Sequence, residues 1–240
     1  MIARLLAKSS RTPDAPQHFE TLPGHLELVA LAARRMTRDR GQQILAALGL
    51  GGGYEAALTE ATVLAALLHD IGKANEDFQR MVRAPRPIAQ ALRHEIVGLW
   101  LLRQQAALAE WVFSDLAPDL RDVVLRAVVS HHLKFHSINS VQPRPAGRPR
   151  LRVLAGHYDF RAVLDVIRRE CALGPAPDLS DLEVVLSGPL SELNEYLSEQ
   201  GARWPEGDSE LKAFHAAVSA LLIAADVCGS ALSRDGRAPD

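Results

Sequence analysis

Seven side chains combine metal-seeking or charged chemistry with a place on, or at the end of, an apolar helical face: His25, His69, Asp70, His94, His131, His132 and Asp226. Asp226 lies in LKAFHAAVSALLIAADVCGSAL, where Ser219, Leu222 and Asp226 share one face. Taking an ionised carboxylate out of water is costly unless it is paired or bound to a cation. His131 continues the stripe Val124, Ala127, Val128, and His132 follows it directly. His69 continues the face of Val63 and Leu67, His25 precedes the stripe Leu28, Val29, Ala32, and His94 opens RHEIVGLW. Alone, each has an ordinary reading as a hydrogen-bonded core histidine, a helix cap or an arginine partner. Together, five histidines and two aspartates in such places are hard to satisfy by chance pairing. Metal ions satisfy them readily, because neutral imidazole and carboxylate are ordinary ligands.

The stretch LLHDIGK (67–73) ends an apolar helix in histidine, aspartate, glycine and lysine. A carboxylate can bridge two cations and a single imidazole nitrogen cannot, so Asp70 suits a shared position. Gly72 is read as the point where the helix ends and the chain turns away. Lys73, three residues after Asp70, is spaced for a simple i,i+3 pair with it. A donor set rich in imidazole favours Mn, Fe, Co or Ni over Mg, which prefers oxygen and water. His18, His136, His157 and His215 fall outside the pattern and are read as structural or surface residues.

Helical periodicity prevails in the elements that must carry these groups. Helices are expected over 24–40, 55–69, 75–83, 90–113 with one break, 118–135, 158–172, 188–201 and 208–232. GLGGGY (49–54) is a flexible break, APRP stops the helix before it, and LEVVLS (182–187) reads as strand or helix. A long Pro/Arg-rich loop is expected over 136–156. The expected architecture is therefore an all-α, single globular domain over 1–240, with about 1–20 and 233–240 as flexible tails.

Composition adds exclusions. The chain has 240 residues, is 48% hydrophobic and carries a formal net charge of −2, so overall charge points to no nucleic-acid partner. Cys171 and Cys228 make neither a disulfide framework nor a zinc spacing. No apolar run is read as reaching membrane-spanning length and no signal peptide is recognised, so a soluble, cytoplasmic chain without a membrane partner is expected.

The ordered set of a leading histidine, an HD pair, further histidines and a late helical aspartate resembles the HD metal-dependent phosphohydrolase superfamily. Within it, GHLELVA (24–30), HDIGKANEDFQ (69–79), RHE (93–95), SHH (130–132) and LLIAADVCGS (221–230) look like the HD nuclease domain of the type I CRISPR-associated helicase-nuclease. Ordinary HD phosphohydrolases share HD but not the KAN..FQ continuation. The resemblance implies an HD-superfamily helical domain. It implies a first metal site of His25, His69, Asp70 and Asp226, and a second of His94, His131 and His132, bridged by Asp70. Asp70 and Lys73 would be the catalytic residues, with Lys73 near the reacting phosphate and Ser230 peripheral. The implied reaction is metal-dependent hydrolysis of single-stranded DNA in type I CRISPR interference, using one or two divalent transition-metal ions and no nucleotide cofactor. The implied partners are a superfamily 2-type helicase module, on a separate chain or in a longer parent chain, and a guide-RNA surveillance complex. No P-loop GxxxxGK[ST] occurs in this chain. The alternative is an HD-type phosphohydrolase acting on nucleotides or cyclic nucleotides. Arg144, Arg148, Arg150 and Arg152 after the His131–His132 pair, and Arg80, Arg83, Arg86 and Arg93 before His94, are either DNA-phosphate contacts or solvated surface charge.

Overall fold

Thr21 starts the first long helix, α1 (Leu22–Ala47): its hydroxyl accepts the Gly24 N–H at 3.3 Å, and Pro23 sits in the first turn, where its missing N–H costs nothing. The computed structural model describes residues 3–86, 88–132, 150–186, 189–206 and 208–231. After α1 the chain reverses through Gly49, whose φ of 72° lies in the left-handed region. Helix α2 (Glu55–Leu68) follows, and every residue from Ala61 to Asp70 is buried. A helix apolar on all sides belongs at the centre of a bundle, and α2 packs against α1, α6 (Pro118–Ser130), α7 (Tyr158–Glu170) and α9 (Ser209–Ala231). Leu64, Leu67 and Leu68 each bury an aliphatic side chain there, which contributes about 1.5–3 kcal/mol apiece. This anchoring holds the end of α2, and so His69 and Asp70, in a fixed place.

Past a 3-10 turn at Ile71–Lys73 come α3 (Glu76–Met81), α4 (His94–Gln104) and α5 (Ala106–Val112). The expected break in 90–113 falls at Gln105, and the helix itself begins only at His94. Helix α6 stops at Ser130, with His131 as its C-cap, and the expected continuation over 133–135 lies outside the described residues. Helix α8 (Pro189–Glu206) precedes α9.

Three expectations need correction. The stretch 150–153 is not loop. Strands β1 (Arg150–Val153) and β2 (Leu182–Val185) pair antiparallel, from Arg150 opposite Val185 to Val153 opposite Leu182. Exposed arginines alternate with buried Leu151 and Val153 in β1, the period of a half-buried strand. The rest of the expected loop, 136–149, lies outside the described residues. Second, residues 4–7 are not a loose tail. Leu5 and Leu6 are fully buried, the Leu5 N–H donates to Asp159 at 2.6 Å, and Leu6 pairs with Thr21. Third, α9 is long and apolar enough to cross a membrane by length and composition, with a mean hydropathy of 1.6. Here it packs on α1, α2 and α6 and carries Asp226 to their shared end.

Candidate metal centre

Asp70 sits where α2 ends, 1% exposed, and its two carboxylate oxygens face different neighbours. Oδ2 lies 3.0 Å from His25 Nε2 and 3.1 Å from His69 Nε2. Those two nitrogens are in turn 3.4 and 3.6 Å from Asp226 Oδ1 on α9. Oδ1 lies 3.0 Å from His94 Nε2 and 3.7 Å from His131 Nε2. His132 joins the second side through its neighbours, its ring centroid 4.2 Å from His131 and 5.7 Å from His94. Two groups result, His25–His69–Asp70–Asp226 and His94–Glu95–His131–His132; within each, one donor atom per residue lies within 4.8 Å of the others.

The donor chemistry fits a cation. His69 Nδ1 and His131 Nδ1 are held by the carbonyls of Ala66 and Val128 at 2.7 and 2.6 Å, the back-bonds expected where each ring follows its own helix. That fixes the tautomer with the Nε2 lone pair turned toward Asp70. The Nε2 atoms of His69, His94 and His131 and Oδ1 of Asp70 are buried without a hydrogen-bond partner. Acceptors gathered face to face in a dry site are costly, and a divalent cation answers them together. Without a cation, protons must stand in. Burial pulls the His69 imidazole down, but the Asp70 charge and the contacts to Asp226 and Asp70 outweigh it and push its pKa up to about 9. Burial opposes ionisation of Asp70, yet the His69 and Lys73 charges hold its carboxyl well below the usual range. Asp226 is likewise held low, against burial, by His25 and His69. On the other side burial lowers His94, and burial with His131 and His94 pushes His132 down to about 4, so these rings are neutral donors at neutral pH.

Two glycine contacts close the site. Gly72 carries no left-handed cap; a Cβ there would stand 2.0 Å from the His94 carbonyl oxygen and 2.4 Å from Gly98 N, so its lack of a side chain lets α4 press onto the 71–73 turn. On the opposite side a Cβ at Gly229 would stand 2.8 Å from Val29 Cγ2, so α9 meets α1 closely one turn beyond the His25–Asp226 pair. The KAN..FQ residues work mainly on backbone. Asn75 donates to the Gly72 carbonyl at 2.5 Å and accepts the Phe78 N–H at 2.9 Å, capping α3. Gln79 donates to the carbonyls of Lys73 and Leu6 and accepts the Leu6 N–H. Phe78 lies edge-on to His94 at 5.6 Å, with Lys73 Nζ 5.3 Å over its ring. Lys73 Nζ itself donates to Asp70 Oδ2 at 2.5 Å, the ion pair its spacing allowed.

All seven sequence-predicted donors therefore lie in the two groups. Arg144 and Arg148 lie outside the described residues. Arg150 pairs with Glu183 at 2.8 Å, and Arg152 with Asp181 at 2.7 Å and Glu76 at 3.8 Å, all at the surface. Arg80 pairs with Asp77, and Arg83 is tied to Gln79 and to the Arg4 carbonyl. Of the histidines set aside, His18 pairs with Glu27, His157 caps α7 and His215 contacts Ser219; His136 lies outside the described residues. Glu95, Asn75, Phe78 and Gln79 carry roles that sequence reasoning did not assign. The signal for the last three was their fixed spacing after HDIGK; Glu95 sat inside RHE, beside a ligand-type histidine.

Comparison with known proteins places the chain in a family. The family described as Cas3, HD domain, matches residues 6–233. A Myxococcus xanthus (strain DK1622) protein named "Putative CRISPR-associated nuclease/helicase Cas3" is 37% identical over 242 residues, covering 99% of this chain; the chain spans about a third of that relative, 32% of its length. A solved structure, the CRISPR-associated Cas3 HD domain protein MJ0384 from Methanocaldococcus jannaschii, aligns over 87% of this chain and 96% of its own at 16% identity, with a TM-score of 0.43. With the family match running from Leu6 past Asp226, the chain belongs to the Cas3 HD-domain family.

Proposed function

We propose that the chain is a metal-dependent nuclease that hydrolyses phosphodiester bonds of single-stranded DNA in type I CRISPR interference. His25, His69, Asp70 Oδ2 and Asp226 would hold a first divalent ion; Asp70 Oδ1, His94, His131 and His132 would hold a second. The observation that carries this reading is the division of Asp70: one oxygen lies against His25 and His69, the other against His94 and His131. Bound there, a pair of ions supplies an acidified water and offsets charge on the phosphate, and the imidazole content favours Mn, Fe, Co or Ni over Mg.

The chain's own residues set the conditions. The leucines of α2 hold Asp70 still, and the Nδ1 back-bonds of His69 and His131 keep their Nε2 atoms aimed at it. Lys73, 12% exposed at its side chain, pairs with Asp70 and would bring its charge to a phosphate oxygen. Arg150 and Arg152 would exchange exposed carboxylate partners for backbone phosphates, a small loss because such surface pairs contribute only about 0–1 kcal/mol. Arg144 and Arg148 would join them. A helicase module, as the name of the Myxococcus relative suggests, would feed the strand, and a guide-RNA surveillance complex would expose it, in the cytoplasm.

The test is a metal-by-metal cleavage assay on circular single-stranded DNA, duplex DNA and a nucleotide panel, with Asp70→Ala in parallel. Wild type with Mn or Co should open the circle, and the variant should not. Equal cleavage by the variant, or turnover of nucleotides without cleavage of DNA, would refute the proposal.

A further inference from the structure

Helix α4 buries a second carboxylate directly beside His94. Glu95 is 0% exposed, although its arginine partner, Arg93, has a side chain 47% exposed. The Arg93 fork fixes the carboxylate: Nε lies 3.3 Å from both oxygens and Nη2 donates to Oε1 at 2.7 Å. Oε2, which Arg93 Nε also reaches, lies 3.5 Å from His94 Nδ1, while His94 Nε2 faces Asp70 Oδ1 at 3.0 Å. The imidazole thus stands between two buried carboxylates, one at each ring nitrogen. One ring nitrogen from each of His94, His131 and His132 lies within 4.8 Å of a Glu95 oxygen.

Burial opposes ionisation of Glu95, and Arg93, the adjacent His94 and the Glu95 backbone N–H together hold its carboxyl below the usual range, but an exposed arginine alone gives no reason to place it beside His94. A ligand histidine that needs a fixed tautomer gives one. His69 and His131 have helix carbonyls for that purpose, at 2.7 and 2.6 Å. His94 opens its helix, so no preceding turn offers its ring a carbonyl. The charge balance agrees. The first group has Asp226 to itself, whereas the second shares Asp70 and has Glu95 as its own carboxylate.

We propose that Glu95 is a positioning residue for the second ion. Its ionised Oε2 faces the Nδ1–H of His94, which keeps the Nε2 lone pair toward Asp70 Oδ1 and places negative charge behind the ring; Arg93 holds it in that pose. This rests on the two-ion reading of the site.

The experiment is Mn titration of the metal-free protein followed by electron paramagnetic resonance, on wild type, Glu95→Ala, Glu95→Gln and Glu95→Asp. Nitrogen-15 NMR of His94 and thermal unfolding accompany it. Wild type should take up two ions and show a spin-coupled pair. Glu95→Ala should bind the first ion as wild type does and the second about 10–100-fold more weakly, with His94 losing its single tautomer. Glu95→Gln should fall between, and Glu95→Asp should recover most of the affinity. Second-ion affinity in Glu95→Ala within about twofold of wild type would overturn the proposal, as would equal weakening of both ions with a lowered melting temperature, which marks a structural role. A wild type that binds a single ion overturns the two-ion reading and this proposal together; two coupled ions with an indifferent Glu95→Ala overturn this proposal alone.

Discussion

Gly72→Ala tests the packing that brings the two halves of the centre together. The new Cβ would stand 2.0 Å from the His94 carbonyl oxygen, 2.4 Å from Gly98 N and 3.0 Å from Gly98 Cα. All three are backbone atoms of α4, so no rotamer change relieves the clash. Ordinary contact near 3.4 Å requires α4 and the 71–73 turn to separate by about 1.4 Å. The 3.0 Å approach of His94 Nε2 to Asp70 Oδ1 spans the same gap and opens with it. Overpacking of this kind costs about 1–3 kcal/mol. At about 2–4 °C per kcal/mol for a chain of this size, the metal-free domain should melt roughly 2–12 °C lower. Displacing a catalytic group by about 1 Å costs on the order of 100-fold in rate, so cleavage of single-stranded DNA at saturating Mn should fall by about that factor. Gly53→Ala is the control, because its Cβ would meet nothing within 4 Å. Gly72→Ala melting within about 1 °C of wild type and cleaving at the wild-type rate would show that this contact does not set the site geometry.

Other outcomes follow from the same contacts. Asn75→Ala removes the cap on Phe78 N and the bond to the Gly72 carbonyl, and should cost about 0.5–2 kcal/mol in thermal unfolding; no loss would show that Asn75 does not brace the turn. Lys73→Ala leaves the Asp70 carboxylate without its ammonium, so the chelated domain should lose up to about 3–5 kcal/mol, much of it restored when a divalent metal is added back; a loss indifferent to metal would argue against it. His69 is raised from 6.5 to about 9, so its proton stabilises the chelated fold fully below pH 6.5, and that stabilisation drains away as pH rises through about 9. The shift corresponds to at most about 3 kcal/mol. A chelated domain whose stability is flat between pH 6.5 and 9.5 would contradict it, as would metal binding near neutral pH that releases no proton.

The donors were legible because polar groups on apolar helical faces are anomalies that periodicity exposes, and each of the seven falls at the end or on the inner face of a helix. That Asp70 suits a shared position was legible from chemistry, since a carboxylate has two oxygens, whereas which histidines stand on each side came only from the resemblance. Groups acting on backbone were harder to see. Asn75 and Gln79 bond to the carbonyls of Gly72 and Lys73, partners that have no side-chain signature. Glu95 next to Arg93 reads as an ordinary charged helix start, and only burial reveals its second neighbour. Strand β1 was hidden because its outward positions are arginines in a Pro/Arg-rich stretch, and two buried residues make a short alternation. The N-terminal strap was missed because its anchors, Gln79 and Asp159, lie 73 and 154 residues away in the chain.

The most direct test of the account is to load the protein with Mn and locate the ions by anomalous X-ray scattering at the metal edge. One peak should stand on the Oδ2 side of Asp70, among His25, His69 and Asp226, and a second on the Oδ1 side, among His94, His131 and His132. A single peak, or ions bound away from Asp70, would contradict it.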